Sequence, residues 1–174
     1  MPQTSRVIVM QPVLELYACE GFALWPVAES AHDDPPRPAE PLGGFLHGLL
    51  TMEGLAVTGG LQITDTATGT TFLPGCCNGL DERLDWPEVL DGDGWASFGH
   101  NPAPLAERHG DFVRLTVDAE RDDSPVIELP VTELRRLLAG AERHLVDFLH
   151  LVATWAALCR ALDLPVPGTA ALRS

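Results

Sequence analysis

Hydrophobic and polar residues alternate in short runs over most of this chain and settle into a helical period only towards its end. Leu14, Leu16 and Ala18 alternate with Glu15 and Tyr17, the two-residue period of a half-buried strand. The apolar run Val7–Met10 precedes it and is separated from it at Pro12, so two short strands are predicted there, with a further one over Phe22–Trp25. LQITD and TTFL flank the turn TATG, a hairpin signal with Thr-rich arms and a turn glycine. In Asp111–Asp118, Val113, Leu115 and Val117 alternate with Phe112, Arg114 and Thr116. After the acidic turn AERDDSP, Val126–Leu129 returns as the partner strand.

From Leu134 the period changes. Leu134, Leu137, Leu138, Ala141, Leu145, Phe148, Leu149, Val152, Trp155, Cys159 and Leu162 recur at helical spacing, with Thr132 placed to cap the helix and Gly140 to bend it. Between Leu151 and Cys159 no charge interrupts this helix. Such a segment is buried on more than one side, either through the centre of the domain or in a homodimer across 151–162. A weaker amphipathic pattern covers Leu42–Glu53, and Asn78–Leu90 holds one or two short helices, since Pro87 interrupts a single one. DGDG at 91–94 is a turn, and Gly99–Gly110 reads as mostly loop around Pro102 and Pro104. The predicted fold class is α+β, with an antiparallel sheet of about five or six strands packed against the long C-terminal helix.

Length fits this picture to a single domain over 1–174, the Pro-rich, charged stretch 30–41 being a surface loop within it. With 45% hydrophobic residues the chain can bury a core without staples. Charge changes the picture more. The formal net charge is −14, and all 11 basic residues are Arg, since no Lys occurs. That removes Schiff-base and phosphate-loop lysines. Scattered arginines on an acidic chain speak against nucleic acid and against anionic membranes, and the field attracts a basic protein partner. The N-terminal apolar run is broken by Gln11, Pro12 and Glu15, unlike a secretory leader. The most apolar stretch, Leu145–Leu164, carries Asp147, His150, Arg160 and Asp163, unlike a membrane span. A cytoplasmic location is expected, with Cys19, Cys76, Cys77 and Cys159 as thiols.

The most unusual segment is FLPGCCNGL, where Cys76 and Cys77 sit between two turn-forming pairs. A reactive thiol there needs a neighbouring base, for which His47, His100 and His109 are candidates. Packing of one thiol into the core is the simpler reading. Adjacent cysteines suit one tetrahedral zinc poorly. No C-x-x-C or H-E-x-x-H spacing occurs, and Trp95 and Pro102 stand where a calcium loop after DGDG needs ligands, so neither metal nor other cofactor is expected. G-x-S-x-G and G-x-G-x-x-G are also absent. What remains is an acidic stretch, Asp81, Asp85, Glu88, Asp91 and Asp93, interleaved with Trp86 and Trp95. Tryptophan among acids is the composition of a protein-binding hot spot, although capping the core is the competing role for both rings.

The run from His109 to Leu149 has a Gly-Asp leading a strand, an acidic turn, a return strand and a helix closing on Asp-Phe-Leu. In this order it resembles the C-terminal half of SUKH-type immunity proteins, and the PGCCNGL segment is similar to one in small acidic actinobacterial proteins. The resemblance implies a small acidic α+β domain that neutralises a toxin by binding it. The chain departs from it in its two leading strands, its longer helix and the lack of an Asn-Gly-Gly. The reading that follows is a non-enzymatic acidic protein-binding module, an immunity-type inhibitor of a basic toxin. A small thiol-dependent enzyme or redox protein using Cys76 or Cys77, and a structural homodimer, are the alternatives.

Overall fold

The computed structural model describes residues 6–18, 21–26, 59–76 and 78–161, apart from the side chains of 15–18, 21–26, 152 and 155–161. The predicted 30–41 loop and 42–53 helix, together with Cys19 and Cys77, lie outside the described residues. Among the described residues the strands form two four-stranded sheets, not one sheet of five or six, and both are antiparallel.

The first sheet has the order β2-β1-β3-β4, from β1 (Ile8–Ala18), β2 (Gly21–Pro26), β3 (Gly59–Asp65) and β4 (Thr71–Phe72). Pro12 does not divide β1 as the sequence suggested. Pairing with β2 begins only at Val13, so at Pro12 the strand has a neighbour on one side alone and the missing N–H is tolerated. Met10, Ile63 and Phe72 align across β1, β3 and β4 and are all buried.

The second sheet is a meander in chain order, β5 (Trp95–Ser97), β6 (Leu105–His109), β7 (Phe112–Thr116) and β8 (Val126–Pro130). Strand β6 falls in the segment read as mostly loop around Pro102 and Pro104, and β5 directly follows the DGDG turn, where no strand was predicted. Their core-facing positions are alanines, which carry little hydrophobic signal. Ala96, Ala106, Leu115 and Ile127 pair in one buried row, with Val113 and Leu129 beside it.

A 3-10 turn (Leu80–Asp85) runs into α1 (Trp86–Asp91) with Pro87 in its first turn, where a missing N–H costs nothing. The long helix α2 (Val131–Ala161) starts directly after β8. The Val131 N–H donates to the Asp111 carbonyl at 2.9 Å, and Thr132 lies inside the first turn, not at the cap. Leu134, Leu137, Ala141, Leu145 and Phe148 form its buried stripe, each leucine contributing about 1.5–3 kcal/mol. In the uncharged segment expected to be buried on more than one side, Leu151, Ala153 and Thr154 are exposed, while the side chains of Val152 and of 155–159 lie outside the described residues.

One hydrophobic core joins Ile8, Met10, Ile63 and Phe72 of the first sheet to Leu115, Ile127 and Leu129 of the second, with Trp86, Val89, Leu134 and Leu137 from the helices. Arg6 ties the sheets on the outside. Its Nε donates to Asp65 Oδ2 at 2.9 Å and its Nη2 to the Glu128 carbonyl at 2.8 Å. Burial alone pushes the Asp65 carboxyl up, but hydrogen bonds from the Ala67 N–H and the Arg6 guanidinium, with the Arg6 charge, outweigh this and hold it below its ordinary value.

Candidate functional site

The cysteine segment is built around a close crossing of two backbones. A Cβ on Gly75 would lie 2.5 Å from both the His100 nitrogen and the Pro102 carbonyl oxygen, so only glycine fits. The crossing is held by Gly75 N–H to the Phe98 carbonyl at 2.8 Å and by an antiparallel bridge that sets Cys76 opposite His100. Cys76 and His100 are both exposed. His109 ends β6, well along the sheet from this point, and His47 lies outside the described residues. Among the described residues no group of three or more His, Cys, Asp or Glu side chains could hold a metal ion.

Beneath the crossing, Asn78 is 3% exposed, and its Oδ1 and Glu82 Oε2 are buried atoms without hydrogen-bond partners among the described residues. Burial raises the Glu82 carboxyl above its usual range, and the charges of Asp85 and Asp81 add to this. Hydrogen bonding from Gly79 and Asn78 opposes the shift in part.

The acidic stretch divides sharply by burial. Asp81, Asp85, Glu88, Asp91 and Asp93 are all exposed along the 3-10 turn, α1 and the bend after it. Trp86 is not on that surface. It is 1% exposed, its ring stacked on Phe98 with centroids 4.3 Å apart and tilted against Phe72 at 6.2 Å, so it is removed from the partner-facing set. The amphipathic start of α1 turns the indole inward while Asp85 and Glu88 turn out. Asp91 has a resident partner: both Arg135 Nη atoms donate to its carboxylate, and this hydrogen bonding holds the carboxyl low.

Trp95 has the opposite fate. It is 56% exposed on the outer face of β5, in a cross-strand row with Glu107, Arg114 and Glu128. Phe112 and Val126 are exposed on the same face. Neither was singled out in the sequence, although Phe112 alternates with the buried Val113 and Leu115 and so had to face away from the core.

The acidic segment also forms one wall of a cleft. It runs antiparallel to α2 and is joined to it at two points, Arg83 Nε to Glu142 Oε2 at 3.2 Å and Arg135 to Asp91. Between these ion pairs lies a space of about 290 Å³ whose apolar lining includes Leu61, Leu90, Leu138 and Leu145. Arg83, Arg135 and Glu142 are functional candidates that the sequence did not reveal, because the two walls lie some fifty residues apart in the chain. No protein-family model, curated protein or solved structure matches the chain. No helix among the described residues is long and apolar enough to cross a membrane.

Proposed function

We propose that this chain is a non-enzymatic acidic protein-binding module of the immunity type, whose partner is a basic protein such as a nuclease toxin. One observation carries the reading: a solvent-facing run of carboxylates, Asp81, Asp85, Glu88, Asp91 and Asp93, leads directly to the exposed indole of Trp95. A rigid aromatic anchor beside exposed acids is what a hot spot with electrostatic steering requires, and the net charge of −14 extends the same field over the whole molecule. The inhibitor acts by lying over the basic active-site surface of its partner. The test is affinity capture from the source organism at low and high salt, with the chain and with a variant carrying Asp81→Asn, Asp85→Asn, Glu88→Gln and Trp95→Ala. A single basic protein, released by salt and lost with the variant, is expected. Salt-insensitive binding, or equal capture by the variant, overturns the reading.

A second reading is favoured by the bridge that sets Cys76 opposite His100. Side chains directly opposite in an antiparallel pair have Cβ atoms about 4.5–5.5 Å apart, within reach of imidazole assistance to a thiolate. In this reading the chain is a small thiol-dependent enzyme. It requires Cys76 to alkylate faster than cysteine in a short peptide at neutral pH, and His100→Gln to abolish the difference. Equal rates remove it.

A further inference from the structure

The outer face of the second sheet carries its charges in a single row. The register sets Trp95, Glu107, Arg114 and Glu128 side by side on β5, β6, β7 and β8, so one base stands between two acids on strands about 4.8 Å apart. Among the described residues none of these three charged side chains closes an ion pair or a hydrogen bond, although Arg6, Arg83, Arg121, Arg135 and Arg136 each close one. Less polar rows flank the charged one. Ser97, Leu105, Thr116 and Val126 lie on one side, and His109, Phe112 and Pro130 on the other. Trp95, Phe112 and Val126 are exposed on this face, together with Arg114 and Glu128.

A row of alternating sign is complementary to its own rotated image. When a second copy is turned about an axis parallel to the strands, midway between β6 and β7, its sheet stacks on the first at the usual spacing of about 10 Å. Glu107 then faces Arg114 of the other copy and Arg114 faces its Glu107, so one symmetric contact forms two opposite-charge pairs. In the flanking rows Leu105 meets Thr116, Val126 meets Ser97, and Phe112 meets the imidazole of His109. Rotation about the other in-plane axis would set Glu107 on Glu107 and Arg114 on Arg114, so the charges select the first orientation. We propose that the outer face of the second sheet is a self-association surface, and that its occupant is a second copy of this chain. The like charge of two chains, −14 each, opposes contact, but physiological salt screens it beyond about 8 Å, while the facing pairs lie within that range. Strands of three to five residues present less than the roughly 800 Å² per partner of a standard interface, so the dimer is weak and depends on concentration. A basic partner and a second copy would compete for Trp95, but the dimer requires no such partner, so the two readings fail separately.

The test is sedimentation velocity of the whole chain at physiological salt, from about 10 μM to about 1 mM, the range a small interface calls for. The parent is expected to pass from monomer to dimer across it. Glu107→Arg and Arg114→Glu each set like charges opposite at both symmetric positions, and each is expected to weaken the dimer by about tenfold or more. The first lowers the net negative charge and the second raises it, so a general charge effect would move the two variants in opposite directions. Recovery is the specific signature. The double variant, and an equimolar mixture of the two single variants, are expected to dimerise as the parent does. Both side chains point away from the core, and far-ultraviolet circular dichroism is expected to match the parent in every variant. A parent that stays monomeric to the top of the range, single variants that dimerise like the parent, or a double variant or mixture that stays monomeric would each overturn the proposal.

Discussion

Replacing Trp86 by alanine separates a structural tryptophan from a surface one. The ring is 1% exposed and packs on Phe98 at 4.3 Å and Phe72 at 6.2 Å, in the core cluster that both sheets and α2 share. Truncating a buried tryptophan costs about 3–5 kcal/mol in lost transfer energy and residual cavity. The two aromatic contacts add about 0.5–1.5 kcal/mol each, which puts Trp86→Ala near 5 kcal/mol. That rivals the whole stability of many domains, about 5–15 kcal/mol. Trp95→Ala, by contrast, removes a ring that is 56% exposed and is expected to stay within about 0.5 kcal/mol of the parent. Urea unfolding followed by far-ultraviolet circular dichroism reads both. The expected result is a large drop in midpoint, or no folded baseline, for Trp86→Ala and a nearly unchanged midpoint for Trp95→Ala. Similar midpoints for the two variants would refute the assignment of Trp86 to the core. Trp86→Phe keeps the variant folded enough to measure, and an intermediate loss is expected there.

Three further predictions concern the crossing and the buried carboxyls. Gly75→Ala forces a Cβ to 2.5 Å from two backbone atoms and is expected to lower stability by about 2–3 kcal/mol, whereas Gly140→Ala on α2, whose Cβ would meet Arg143 Nη2 at an ordinary contact distance of 3.8 Å, raises it by up to about 1 kcal/mol; thermal melts of the pair check this. Glu82→Gln removes a carboxyl whose folded value is raised, so the parent loses stability as pH rises from the ordinary carboxylate range through that higher value. The variant lacks that slope and is more stable at neutral pH, by about 1 kcal/mol if its amide reaches Asn78 Oδ1, as denaturation at pH 4 and pH 7 will show. Asp65 has the opposite sign: its folded value is depressed, so its contribution is present above about pH 4 and is lost as pH falls through the lower folded value. Arg6→Ala is expected to cost about 2 kcal/mol at pH 7 and to flatten that acid limb, and an unchanged limb would remove the bond between Arg6 and Asp65 from the account.

Elements whose burial is one-sided were legible in the sequence, because one-sided burial writes a period into the chain. The α+β class, the β3–β4 hairpin, the β7–β8 hairpin with its acidic turn and the long helix all followed from period two or period 3.6. β5 and β6 did not, since Ala96 and Ala106 meet the core with side chains too small to mark a face. Trp86 and Trp95 look alike in sequence, nine residues apart among acids. Their opposite burial depends on α1 turning one inward and β5 turning the other out, which only the tertiary arrangement decides. The same holds for the cleft, whose ion pairs join residues 83 with 142 and 91 with 135. Of the candidate set, the exposure of the acids was legible and the neighbours that modify them were not.

The two sheets differ in how far apart along the chain their partners lie, and that sets an expected order of assembly. Strands β5 to β8 pair in chain order and lead directly into α2, so closing each pair costs only a short loop. In the first sheet Leu14 must find Gly59, and α2, far later in the chain, must then pack on β1. Loop-closure entropy places that search last. The second sheet with α2 is therefore expected to protect its amides first in pulsed hydrogen exchange, with β1 and β3 following. A truncation that removes β1 would leave a half that begins to fold but exposes Trp86 and the inner face of α2, a sticky intermediate instead of a smaller stable domain.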